Sequence, residues 1–227
     1  MATPETPLGL LGGTFDPLHN GHLRLAEEAR AQLGLDRVRL IPAGHPPHRE
    51  APGASAADRL AMCRLAAEGN PTLEVDPSEV ESEAPSYTVT TLTRLRRELG
   101  ETRPLVLLLG VDAFNGLASW NRWQELFDLA HIAVANRPGH PLVPARLAPE
   151  LAREWLARQS SPAALARTPA GGLLAFTITA LDISATAIRA LVASGQSPRY
   201  LLPDPLVGYI AQHHLYPAKE ASKSAWN

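Results

Sequence analysis

Short apolar runs alternate along this chain with longer stretches of helical periodicity. Leu8–Leu11 is such a run and ends in Gly12-Gly13, which predicts a buried strand leading into a tight turn. A helical pattern follows from about Asn20 to Leu33, with Gly34 placed to stop it. Arg37–Ile41 predicts the next strand, ended by Pro42. The alternation continues with a helix capped by Asp58 and running to about Glu68, then a short strand at Thr72–Val75. Tyr87–Leu99 reads as a helix that stops at Gly100, and Leu105–Leu109 as a central strand. Later elements are a helix near Trp123–Ala130, strands at His131–Ala135 and Leu173–Thr179, and helices at Thr186–Ala193 and Leu206–His214. Strand, helix and strand in this order make a βαβ unit, which favours a parallel sheet with right-handed crossovers. The predicted fold class is α/β, a doubly wound parallel sheet.

Composition narrows the picture. A length of 227 residues with 45% hydrophobic content suits one domain over residues 1–227, in which about 183–216 form a C-terminal helical part. The Pro/Gly-rich segments Pro42–Gly53 and Arg137–Pro149 are too short to separate domains, and both follow strands, where open α/β sheets place ligand loops. A formal net charge of −2 gives no basic excess for nucleic acid and no acidic excess for disorder. The single cysteine, Cys63, excludes an internal disulfide framework and reads as a passive, half-buried thiol. The start of the chain lacks a signal-peptide pattern and no run approaches the ~20 apolar residues of a bilayer span, so a cytoplasmic, non-membrane protein is expected.

The stretch with the most chemistry is Gly12-Gly13-Thr14-Phe15-Asp16-Pro17-Leu18-His19-Asn20-Gly21-His22. Glycines after a strand let the backbone turn sharply and let a bulky anion approach its N–H groups. The helix starting near Asn20 aims unpaired donors and a positive partial charge at the same spot. His19 and His22, three residues apart, can face one anion and donate to phosphate oxygens whose charge grows during transfer. The spacing is not the G-x-G-x-x-G of hydride-transferring enzymes, nor the G-x-x-x-x-G-K-[ST] of P-loop ATPases. It is not H-E-x-x-H either, and no third residue offers clear zinc spacing, so no protein-held metal is expected.

This stretch resembles the H-x-G-H nucleotidyltransferase superfamily, and Ile183-Ser184-Ala185-Thr186-Ala187-Ile188-Arg189 resembles the I-S-S-T-x-I-R motif of that superfamily. Further segments resemble bacterial nicotinate-nucleotide adenylyltransferases. They are Pro42-Ala43-Gly44-His45-Pro46-Pro47-His48-Arg49, Ser86-Tyr87-Thr88-Val89-Thr90-Thr91-Leu92, Gly110-Val111-Asp112 with Trp120-Asn121-Arg122-Trp123, Asn136-Arg137-Pro138-Gly139, and Tyr200-Leu201-Leu202-Pro203-Asp204. The ordered matches run from about Leu8 to Tyr216. Thr90 departs from the aspartate of the family, Ala185 from its second serine, and Arg49 from its lysine. The last keeps the charge and changes the donor geometry.

The resemblance implies transfer of the AMP half of ATP to nicotinate mononucleotide, with release of pyrophosphate. His19, His22 and Arg189 would be catalytic, and Gly12, Gly13, Thr14, Phe15, Ser184, Thr186, His48 and Arg49 would bind ATP and its phosphates. Tyr87, Thr88, Asp112, Trp120 and Arg137 would hold the acceptor. In that scheme Trp120 stacks on the pyridine ring, backbone N–H groups near Tyr87-Thr88 take the carboxylate, and Asp112 takes ribose hydroxyls. Trp123 reads instead as helix packing. Mg²⁺ would be held mainly by the phosphates. Rival expectations are the same chemistry on nicotinamide mononucleotide, or a catalytically silent nucleotide-binding regulator.

Overall fold

Six of the apolar runs become the strands of one parallel sheet. The computed structural model describes residues 5–46, 51–137, 139, 141–179 and 181–218. The strands are β1 (Leu8–Gly13), β2 (Val38–Pro42), β3 (Leu73–Val75), β4 (Leu105–Gly110), β5 (His131–Asn136) and β6 (Leu173–Thr177). They lie in the order β3-β2-β1-β4-β5-β6, every pair parallel. In chain order the helices are α1 (Asn20–Leu33), α2 (Ala56–Ala67), α3 (Thr88–Leu99), α4 (Val111–Asn115), α5 (Leu126–Leu129), α6 (Pro149–Ala157), α7 (Pro162–Leu165), α8 (Ala185–Ala193) and α9 (Asp204–Gln212). None is long and apolar enough to cross a membrane among the described residues.

Side chains of a strand alternate between faces, so each run feeds two cores. Leu8, Leu10, Leu105, Leu107, Leu109, Ile132 and Val134 enter one, with Leu92 and Leu95 of α3 and Phe127 of α5. Leu11, Val106, Leu108, Ala133 and Ala135 enter the other, with Ala26 and Ala29 of α1 and Met62 of α2. Ile188 of α8 and Leu206 and Ile210 of α9 join this second core, so the C-terminal helices are part of one face of the sheet. Burial on both faces explains why the strands read as continuous apolar runs.

The strand order reverses between β1 and β4. In such sheets ligands bind in the crevice outside the carboxyl ends of the strands, at that switch point. Here it is flanked by Gly13 at the end of β1 and Gly110 at the end of β4.

Several elements differ from the pattern-based expectation. Ser55 caps α2 in place of Asp58, because its hydroxyl accepts the Asp58 N–H at 3.1 Å while Asp58 serves inside the first turn. Tyr87 precedes α3 as its cap in extended backbone. The helix expected near Trp123–Ala130 is a 3-10 turn at Trp123–Glu125 followed by α5, entered through Arg122 at φ 51°. α4, α6 and α7 were not expected. β6 ends at Thr177, and α9 begins at Asp204 behind Pro203. Cys63 is fully buried rather than half-buried, and burial pushes its thiol up to about 12, which leaves it inert.

Candidate active site

The turn after β1 is shaped by contacts a side chain at Gly13 would destroy. A Cβ there would sit 2.9 Å from the Phe15 ring. Phe15, at φ 50°, is buried and sets its ring edge-on to His22, centroids 5.1 Å apart. Phe15 therefore supports the turn from inside with its side chain. The two imidazoles stack at 3.7 Å with planes 25° apart. The His19 backbone N–H donates to Nδ1 of His22 at 3.3 Å. That bond leaves the His22 proton on Nε2.

Burial pushes His19 down to about 4, with the charge of Arg137 adding to the effect. His22 falls to about 3 through burial, its stacked neighbour and Arg137, in that order. At neutral pH both rings are uncharged, and each keeps one N–H able to donate. Arg137, expected beside the acceptor, is exposed yet close enough for its charge to act on both histidines.

The second motif meets the first through Arg189. Its Nη1 donates to the Asp16 carbonyl at 2.7 Å and lies 3.6 Å from the Asp16 carboxylate, and its Nη2 reaches Thr186 Oγ1 at 3.4 Å. Asp16 is buried and saturated. It accepts the Gly53 N–H at 2.7 Å, the Ala54 N–H at 3.0 Å and the Tyr216 hydroxyl at 2.9 Å. The sequence pattern assigns Asp16 and Tyr216 no role. Asp16 lies inside the quoted motif, whereas nothing around Tyr216 signals a bond reaching back two hundred residues. Ser184 caps α8 by accepting the Ala187 N–H at 3.2 Å, and the backbone of Ile183 passes beside Gly21.

On the other side of the crevice, Ser86 ties the loop after β2 to the start of α3. Its hydroxyl accepts the N–H groups of Gly44 at 3.0 Å and His45 at 3.1 Å, and its own N–H donates to the His45 carbonyl at 3.0 Å. Tyr87 and Thr88 follow, half-buried. Asp112 is exposed in the first turn of α4, directly after β4. It lines a cavity of about 380 Å³ with Val111, Asn115, Val143 and Arg146. Asn115 and Arg146 went unremarked in the sequence, since neither falls in a recognisable motif. Trp120 is half-buried at the end of a 3-10 turn, while Trp123 is 6% exposed and packs edge-on against Phe127, as expected of a packing residue. His48 and Arg49 lie outside the described residues.

A doubly wound sheet with a stacked, neutral histidine pair at its switch point and an arginine motif clasped to it defines a nucleotidyltransferase. The cytidylyltransferase-like family profile matches residues 10–191. A Dechloromonas aromatica protein named as a probable nicotinate-nucleotide adenylyltransferase is 58% identical over 211 residues, 92% of this chain and 97% of its own length. One of the same name from Acidithiobacillus ferrooxidans is 49% identical, covering 92% and 95% respectively. The fold matches the Plasmodium falciparum nicotinic acid mononucleotide adenylyltransferase complexed with NaAD, at a TM-score of 0.69 and 14% identity over 93% of this chain and 98% of that one. The chain belongs to the nicotinate-nucleotide adenylyltransferase family.

Proposed function

We propose that the chain joins nicotinate mononucleotide to the AMP half of ATP, giving nicotinate adenine dinucleotide and pyrophosphate in NAD biosynthesis. The observation that carries this reading is the stacked His19–His22 pair, held neutral at the start of α1, with Asp112 following the neighbouring strand β4. An oxygen of the acceptor phosphate attacks the α-phosphorus in line. The bond from that phosphorus to the bridging oxygen breaks, and pyrophosphate leaves with the electron pair. The acceptor phosphate is already ionised at neutral pH, so no strong general base is needed. The enzyme positions two anions and offsets their repulsion.

His19 and His22 donate to oxygens of the triphosphate, and Arg189 and Arg137 supply fixed positive charge. Trp120 offers a ring face to the pyridine, N–H groups at the start of α3 take the carboxylate, and Asp112 takes ribose hydroxyls. The side chains around the turn are imidazoles, guanidiniums and hydroxyls, with the Asp16 carboxylate already engaged by Gly53, Ala54 and Tyr216. Among the described residues no three His, Cys, Asp or Glu form a cation cage. This set suits phosphate oxygens, so Mg²⁺ would ride on the triphosphate and neutralise charge there. Both substrates are soluble nucleotides, consistent with a cytoplasmic setting.

The test is pyrophosphate release from Mg-ATP with either nicotinate or nicotinamide mononucleotide. The acid should be strongly preferred, and His19→Ala should cut turnover by about 10²–10³, the usual cost of one transition-state donor. Preference for the amide would overturn the acceptor assignment, and no turnover with either would overturn the reaction.

A further inference from the structure

One buried cation beside the crevice has no part in the reaction described so far. Arg59 is 1% exposed, on the same helical stripe of α2 as Met62 and Cys63, three and four residues on. Among the described residues its guanidinium hydrogen-bonds only to backbone. Nη1 donates to the carbonyls of Thr14 at 2.7 Å and Ala43 at 2.5 Å, and Nη2 donates to the carbonyl of Gly44 at 3.1 Å. Nε is buried without a partner among the described residues. Burial lowers the affinity of Arg59 for its proton, and Asp16 provides the largest opposing pull. Yet the Asp16 carboxylate is engaged by Gly53, Ala54 and Tyr216 rather than by Arg59. A guanidinium buried without a bonded carboxylate is costly, and an arginine never sheds that cost by losing its proton.

The carbonyls it holds belong to trans peptides, so each following N–H points away from Arg59. Two of these directions are visible in the structure. The N–H groups of Gly44 and His45 both converge on Ser86 Oγ, at 3.0 and 3.1 Å, and Ser86 fixes the start of α3. The third N–H is that of Phe15, in the turn after β1, and it has no partner among the described residues. One planar fork thus sets the tilt of peptides at the ends of both β1 and β2.

We propose that Arg59 is a positioning residue for both substrates: its guanidinium orients the Phe15 N–H toward the triphosphate and, through Gly44, His45 and Ser86, orients the N-terminus of α3 toward the carboxylate of the acceptor. This rests on the reaction proposed above. A lysine keeps the charge and the hydrogen-bonding capacity but loses the fixed fork, so Arg59→Lys separates geometry from charge.

The experiment measures KM for ATP and for nicotinate mononucleotide, with kcat, for the wild-type chain and Arg59→Lys, after thermal unfolding has shown the variant folded. Both KM values should rise on the order of tenfold or more, because small misplacements of binding groups carry penalties of that size. A folded variant with both KM values within twofold of wild type overturns the proposal. So does a loss confined to one substrate, since one fork would then not serve both. If Arg59→Lys does not fold, the wild-type chain decides the matter by NMR. The Phe15 amide and the Arg59 Nε–H should both shift on saturation with inorganic pyrophosphate, and unmoved signals overturn the assignment. Absence of wild-type turnover would count against the reaction, whereas the pyrophosphate titration reads the Arg59 fork independently of it.

Discussion

Replacing Asp16 by asparagine keeps the shape of the side chain and removes one acceptor oxygen and the charge. In the folded chain Oδ2 accepts the Gly53 N–H at 2.7 Å, while Oδ1 accepts the Ala54 N–H at 3.0 Å and the Tyr216 hydroxyl at 2.9 Å. An amide must turn its NH₂ toward one of these sides, and there it meets a backbone N–H donor to donor. A buried N–H left without an acceptor costs about 1–3 kcal/mol, and the remaining bonds lose about 1 kcal/mol more as their charge assistance disappears. Asp16→Asn should therefore destabilise by about 2–4 kcal/mol. For a chain of this size each kcal/mol lowers Tm by about 2–4 °C, so the expected fall is roughly 5–15 °C. Tyr216→Phe removes one donor and leaves the carboxylate with both backbone partners, so it should cost about 1 kcal/mol. Arg189 keeps its bond to the Asp16 carbonyl in the asparagine variant and loses the countercharge 3.6 Å away, so the KM for ATP should also rise. Thermal unfolding by circular dichroism reads the stabilities, and pyrophosphate release reads the KM. An Asp16→Asn chain melting within 2 °C of wild type, or a Tyr216→Phe chain hurt more than it, would refute the reasoning.

Three other outcomes can be checked with the same assays. His19 and His22 stay neutral when folded down to about pH 4 and 3, but titrate near 6.5 once unfolded. Acidification below about pH 6.5 therefore protonates the unfolded chain first, and stability is lost at up to about 1.4 kcal/mol per histidine per pH unit until the folded values are reached. The drop in Tm between pH 7 and 5 should be smaller for His22→Gln, and equal drops would sink the argument. A Cβ at Gly44 would stand 1.9 Å from the Glu79 carbonyl oxygen, so Gly44→Ala must displace backbone and should raise the acceptor KM; an unchanged KM and Tm would show that the loop yields freely. Trp123→Ala should destabilise by about 3–5 kcal/mol as a core truncation. Trp120→Ala should instead raise the acceptor KM about 5- to 100-fold, the range of base–aromatic stacking, with a smaller change in Tm. Exchange of these two phenotypes would reverse the assignment.

The strands and the long helices were legible because each obeys a local rule. β4 is a wholly apolar run, and α1 ends at Gly34 with φ 66°, as a left-handed stop requires. What escaped notice depends on tertiary neighbours. α6 starts at Pro149, inside a segment whose prolines looked like loop, and is held by Leu151 and Trp155 packing on the core. α4 is only five residues long, too short for a periodic signal. In the site, the histidines and Arg189 were visible as motifs, whereas the bonds of Asp16 to Gly53, Ala54 and Tyr216 span separations no local pattern encodes. Arg59 did leave a trace, a charge on the same helical stripe as Met62 and Cys63. A long cation on the apolar side of a helix must find buried acceptors, and Arg59 finds them in the carbonyls of the two turns.

The choice of residues at helix starts follows the same division of labour. An acidic side chain in the first turn stabilises a helix by about 0.3–1 kcal/mol, by answering its positive end. Among the helices of nine or more residues, α2, α6 and α9 take this stabilisation, with Asp58, Glu150 and Asp204. The other three of that length, α1, α3 and α8, have no acid in their first turns. These three are the helices that begin in the histidine motif, in the Ser86–Thr88 segment and in the Ser184–Arg189 motif. A carboxylate at the start of α1 or α8 would compete for the N–H groups there, and at α3 the position that is aspartate in the family is Thr90, which leaves that start uncharged. Forgoing the acid leaves three partial positive charges unanswered, which an anionic ligand can answer instead. The neutral histidines fit the same logic. Two imidazolium ions stacked at 3.7 Å would repel each other in the empty site, whereas two neutral rings tolerate the stacking and still offer N–H donors to phosphate. Permanent charge is left to arginines, with Arg189 tethered by Asp16 and Arg59 walled in by carbonyls. The histidine pair keeps its N–H donors through the whole neutral pH range, because burial holds His19 and His22 at about 4 and 3.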